Sequence, residues 1–294
     1  MKVTGVGGGH GLASTLRAAR LYADEIAAVV TVADDGGSSG RLTSDLGIPP
    51  PGDIRNCLVA LADESPTTRL WQHRFESGAL AGHTVGNLVI TALAEIEPDF
   101  ASAVRAAGEL LGAAGVVYPA TTDLVSLRAR VEGGVVRGQV AVAETEAPIQ
   151  AVYLEPREPR AHPGAVGAIL EADQVILGPG SLFTSLIATL LVPDLRRALI
   201  HSAAHRVFVC NARMQAGETQ GLGAAAHVEA LLAHLGPYSI DSVVLQSPMI
   251  AEQGVTLEAA PLVALGLKVV EADVAAPDGT HDPVKLARVL ASLN

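Results

Sequence analysis

At 294 residues, half of them hydrophobic and only 17% charged, the chain can enclose a full core and is too apolar to be disordered. Its net charge of −11 argues against a general nucleic-acid or anionic-membrane surface. Two cysteines, Cys57 and Cys210, are too few and too isolated for a disulfide framework or a zinc site.

The chain starts on a short apolar strand over 3–6, and a helix follows over 12–22 with Leu12, Leu16 and Ala19 on one face. Residues 26–33 are a continuous β-branched run, the pattern of a strand covered on both sides. Strand, helix, strand at this spacing predicts a βαβ unit in a parallel sheet. Helices are expected from Asp53 to 62, over 87–96 and over 101–111. Residues 124–131 and 135–142 alternate around Glu132-Gly133-Gly134, which predicts an antiparallel hairpin. The α/β pattern then resumes. A strand at 175–177 ends in Gly178-Pro179-Gly180-Ser181 and feeds a buried helix to about 191. Strands follow at 206–210, 242–245 and 268–271, with a helix at 228–235 and a final helix capped by Asp282-Pro283. The expected fold is a single α/β domain over 1–294. It is a Rossmann-like, doubly wound, mostly parallel sheet with an inserted antiparallel hairpin and helical subdomain at about 98–150. Met1 leads directly into a strand and no membrane span is visible, so the cytoplasm is the expected location.

The chemistry gathers where strands end. Gly7-Gly8-Gly9-His10-Gly11 leaves the first strand and opens a helix, an arrangement that suits an anion. It is neither a P-loop nor a full dinucleotide fingerprint, which weakens a nicotinamide oxidoreductase. The second strand ends at Asp34-Asp35, where a nucleotide fold carries its ribose-binding acid. Ser38, Ser39, Arg41, Asp53, Arg55 and Asn56 lie close by in sequence, and Gly178, Gly180, Ser181, Asn211, His83 and Asn87 reach the same edge. Open α/β sheets bind ligands at that edge. Asp34, Asp35 and Asp53 could hold Mg²⁺, or could cap turns and helices. Arg41 and Arg55 suit bidentate phosphate binding, or structural ion pairs. His10 could touch a ligand or stand by, and His83 is the stronger candidate of the two. No Ser-His-Asp or cysteine-nucleophile arrangement is present, so any catalysis would rest on positioning and electrostatics.

These motifs also carry a resemblance. Gly7–Gly11, Thr31–Leu42 and Pro49–Leu58 resemble the gluconeogenesis factor (YvcK-like) family. The likeness continues through His83–Leu88, Val152–Pro156, Leu177–Leu182 and Cys210-Asn211. The chain departs from the family pattern at Met214-Gln215-Ala216-Gly217-Glu218-Thr219, where Thr-Gln-Pro-Gly-Glu-Thr is usual, and at His10, where Thr is common. The resemblance implies a fold related to 2-phospho-L-lactate transferase. It implies binding of UDP-glucose or UDP-N-acetylglucosamine, with NAD and Mg²⁺ as further possibilities. It links the chain to gluconeogenic growth, cell shape and peptidoglycan synthesis, with a homodimer or a cell-wall regulatory protein as partner. The competing reading is an Mg²⁺-dependent phospho-group transferase that uses Asp35 and Asp53.

Overall fold

The computed structural model describes residues 1–293. Seven parallel strands form the main sheet. They are β1 (Lys2–Gly7), β2 (Glu25–Val30), β3 (Val116–Pro119), β7 (Gln174–Leu177), β8 (His205–Val209), β9 (Ser242–Gln246) and β10 (Lys268–Ala272). Between them in sequence, β4 (Ser126–Val131), β5 (Gly134–Arg137) and β6 (Ile149–Glu155) form a separate antiparallel sheet in the order β5-β4-β6.

The main sheet runs β10-β9-β8-β7-β1-β2-β3. The chain winds outward from β1 through β2 to β3, then returns to the other side of β1 and winds outward again from β7. The winding therefore reverses between β1 and β7, which pair from Val3 against Gln174 to Val6 against Leu177. This is the crevice position of a doubly wound sheet.

Both faces of the sheet are covered, which explains the unbroken apolar runs of its strands. One face carries the helices Gly9–Ala19, Gly52–Leu61, Val85–Ile96 and Phe100–Leu111, packed round Leu12, Leu16, Ile54 and Leu58. Leu12 and Leu16 are fully buried one helical turn apart, and each contributes roughly 1.5–3 kcal/mol of hydrophobic stabilisation. The other face carries the Pro163–Leu170, Pro193–His201 and Ala224–Leu235 helices and the segment from Leu182 to Leu190, which is π-helical through Ile187. The small sheet joins this second core through Leu127, Ala129, Val152 and Leu154.

Two expectations change in detail. Residues 135–142 are not one strand: β5 stops at Arg137, Gly138 takes φ +93°, and Gln139–Ala143 is a short helix. Tertiary bonds to that helix override the β-branched alternation of Val140 and Val142. Within 98–150, Val116–Pro119 belongs to the main sheet as its edge strand, and the small sheet instead takes in Ile149–Glu155. The Gly37–Leu46 helix went unseen because its buried face is Ser38, Ser39 and Leu42, which gives no apolar stripe.

Candidate functional site

The crevice between β1 and β7 holds a cavity of about 290 Å³. Its floor is the Gly8–Gly11 turn on one side and Gly180-Ser181 on the other. Gly8 is the N-cap of the Gly9–Ala19 helix and offers no side-chain cap, so the first-turn N–H groups of that helix face the cavity region. Gly11 sets the spacing of the two loops: a Cβ there would lie 2.6 Å from the Pro179 carbonyl carbon and 2.8 Å from Gly180 Cα. Only glycine lets the two backbones approach this closely.

The Gly180 loop is held from behind. Its N–H donates to Asn211 Oδ1 at 2.9 Å, and Asn211 Nδ2 returns a 2.9 Å bond to the Gly180 carbonyl. Thr15 Oγ1 donates to the Gly178 carbonyl at 2.7 Å, tying the first helix to the second loop. Gln215 Nε2 donates to Ser181 Oγ at 3.0 Å. The buried Glu218 carboxylate accepts from the N–H groups of Phe183 and Thr184 and from Thr184 Oγ1, closing the start of the helical segment after β7. Burial pushes the Glu218 pKa up, against the pull of those bonds.

Asp34 and Asp53 are the carboxylates that line the cavity. Asp34 Oδ1 also accepts from Gly36 N–H at 2.9 Å, the turn-capping role foreseen as its alternative. Asp53 does not cap its own helix, whose N-cap is Pro51. Burial, and next the charge of Asp34, raise its pKa to about 7, against opposing pulls from the Gly9 N–H and Arg55. The expected trio of metal-binding carboxylates does not assemble. Asp35 turns away and accepts from Gln139 N–H at 3.0 Å and Val140 N–H at 2.9 Å, and no group of three His, Cys, Asp or Glu is placed to hold a metal among the described residues. Two carboxylates beside a phosphate-bearing ligand still fit Mg²⁺, which commonly takes one or two carboxylates plus phosphate oxygens. Asp34 and Asp53 are the residues that would hold it.

Of the remaining predicted residues, Gly8, Gly9, His10, Gly11, Gly180 and Ser181 line the cavity, with Gly178 and Asn211 directly behind it. The others form a polar knot of their own. Ser38 Oγ meets His83 Nδ1 at 3.0 Å and accepts from Asn87 Nδ2 at 3.0 Å. Ser39 Oγ accepts from Gly52 N–H, Arg41 donates to the Ala81 carbonyl, and buried Arg55 donates to Thr84 Oγ1 at 2.5 Å and Asn56 Oδ1 at 2.6 Å. Neither Arg41 nor Arg55 lines the cavity. Sequence reasoning missed Thr31, Gln139, Thr184, Ser185 and Gln215 as lining residues. Gln215 stood inside the run where the chain departs from the family pattern; Gln139, on the far side of a hairpin, gave no signal.

A family model described as 2-phospho-L-lactate transferase CofD matches residues 3–280. The Bacillus subtilis protein named gluconeogenesis factor is 40% identical over 309 residues, spanning 99% of this chain and 98% of its own. The chain belongs to the gluconeogenesis factor family, of the CofD type. A putative gluconeogenesis factor from Mycobacterium tuberculosis is 44% identical over 306 residues, covering 98% of this chain and 89% of that protein. A crystal structure of a UPF0052-family protein from Bacillus halodurans superposes with a TM-score of 0.95 at 36% identity over 98% of each chain. This gluconeogenesis factor family member therefore has the α/β architecture expected from its sequence. Among its described residues, no helix is long and apolar enough to cross a membrane.

Proposed function

We propose that this chain is a cytoplasmic nucleotide-sugar-binding regulator that couples gluconeogenic carbon supply to cell shape and peptidoglycan synthesis. The carrying observation is the cavity at the winding reversal, walled by two glycine loops and two carboxylates. The diphosphate of UDP-glucose or UDP-N-acetylglucosamine would rest on the backbone amides at the start of the Gly9–Ala19 helix, whose positive end favours an anion by about 0.3–1 kcal/mol. Among the described residues, neither Lys nor Arg lines the cavity. His10 and a cation held by Asp34 and Asp53 are then the means of offsetting the remaining phosphate charge. The enclosed volume sits at the small end of the roughly 300–1,000 Å³ typical of ligand pockets, so a whole nucleotide-sugar would extend beyond it along the sheet edge.

The Asp34–Asp53 pair favours one second reading, an Mg²⁺-dependent phospho-group transferase. In that case the residues shown would bind and orient the phosphates while bound Mg²⁺ offsets the charge that develops there. Calorimetric titration with UDP-glucose, UDP-N-acetylglucosamine, NAD and GDP, with and without Mg²⁺, followed by mass analysis of recovered ligand, separates the readings. Micromolar binding of a UDP-sugar recovered intact supports the regulator, and cleaved or transferred ligand supports the transferase. Binding of none of them rejects the ligand class.

A further inference from the structure

Among the described residues, the hairpin subdomain contributes to the cavity lining through Gln139 of the short Gln139–Ala143 helix, and both halves of the molecule grip that helix. From the β2 side, the Asp35 carboxylate takes the N–H groups of Gln139 and Val140, one on each oxygen. The grip requires Gly138 at φ +93°, since a side chain there would collide with the same carboxylate. From the β8 side, Gly217 at φ +80° packs directly beneath the Ala143 carbonyl, and a Cβ there would strike that oxygen. Gly217 belongs to the turn that carries Gln215 to the cavity. Gln139, partly exposed, lines the cavity together with Gln215.

We infer that the Gln139–Ala143 helix is a clamp over the ligand cavity. Gln139 is a ligand-contacting residue supplied by the small sheet, and Asp35 is the positioning residue that sets it. This rests on the nucleotide-sugar reading for the ligand, and on the geometry alone for the clamp. The Gln139 amide offers one acceptor and two donors, which suits a sugar hydroxyl or a phosphate oxygen. Asp35 never meets the ligand. It works by satisfying two amides that would otherwise open the helix to water.

Two measurements on the full chain test this. In titrations with UDP-N-acetylglucosamine, Asp35→Asn and Gln139→Ala should each weaken binding about tenfold. The double variant should bind no worse than Asp35→Asn, because both changes remove one interaction. In hydrogen exchange of the unliganded protein, Asp35→Asn should speed exchange of the 139–143 amides about tenfold, and Gln139→Ala should leave it unchanged. Gly217→Ala attacks the clamp from the other wall and should speed the same amides. Additive losses of about a hundredfold in the double variant, or unaltered binding in either single variant, would overturn the proposal. If the unsubstituted protein binds no nucleotide-sugar, the parent reading fails and takes the Gln139 contact with it. Unchanged exchange in both Asp35→Asn and Gly217→Ala overturns the clamp whatever the ligand.

Discussion

Two regions of this molecule are equally rich in polar residues and differ in what those residues face. In the knot around Gly37–Leu46 and Gly52–Leu61, Ser38, His83 and Asn87 bond to one another, Ser39 to the Gly52 N–H, and Arg55 to the side chains of Thr84 and Asn56, with only Arg55 Nε and Asn87 Oδ1 of these five side chains left buried without a partner. In the crevice between β1 and β7, the walls are mostly backbone and small side chains, and the carboxylates of Asp34 and Asp53 line the cavity, each with a backbone N–H partner, from Gly36 and Gly9. A dense polar motif therefore does not by itself mark a ligand contact. What separates the two is access: polar groups enclosed by packing hold the scaffold, and groups that line a cavity keep an open side for a ligand.

The largest effect is expected at Gly11. Gly11→Val should cost about 2–3 kcal/mol in urea unfolding, because the two loops must separate, and it should abolish UDP-sugar binding in calorimetry. A variant that binds normally would mean that the loops do not form the site. Within the knot, Arg55→Ala should cost about 2–3 kcal/mol by stranding Thr84 and Asn56, whereas exposed Arg41→Ala should stay within about 0.5 kcal/mol. Equal effects from the two arginines in thermal unfolding would erase the distinction between buried scaffold and surface.

Asp53 sharpens the contrast through pH. Its folded-state pKa of about 7 lies above the ordinary 3.8, so between those values the folded chain binds more protons than the unfolded one. Asp53's own contribution to stability should therefore fall as pH rises from about 4 to about 7, opposite in sign to that of buried His281 and His227, whose burial lowers their pKa values, so it is read as the difference between the unsubstituted protein and Asp53→Asn. Asp53→Asn should flatten that slope and gain roughly 2 kcal/mol at pH 8, after allowing for solvent at its partly open face, with no gain at pH 4. Denaturant melts across pH read this directly, and an unchanged slope contradicts the assignment. The smallest effect is expected at Gln215→Ala, about 1 kcal/mol, from its lost bonds to Ser181 and Asn211. It should weaken ligand binding more than it lowers the melting temperature.

The fold was legible because its signals are local. β-branched runs, strand-end glycines and the Asp282-Pro283 cap all act within a few residues, and the structure puts Asp282 at that cap, accepting from Val284 and Lys285 N–H groups. The edge strand β3 was not legible: Val116–Pro119 spans four residues and follows the Phe100–Leu111 helix after a short turn. The site was legible in outline, since strand ends in an open sheet converge. Its finer division was not. Whether Asp34 or Asp35 faces the cavity depends on which way one turn runs and on a helix roughly a hundred residues away at Gln139. Neighbouring residues of the same type carry no mark of that difference.

The most direct test of the central claim is a crystal structure of the protein grown with UDP-N-acetylglucosamine and Mg²⁺. The diphosphate should lie on the backbone amides of Gly9–Gly11, with Gly180 and Ser181 on its other side and Asp34 and Asp53 facing it. Ligand seated instead in the larger cavity of about 670 Å³ beside β1, β2 and β3, lined by Lys2, Tyr118 and Gly164, would contradict it.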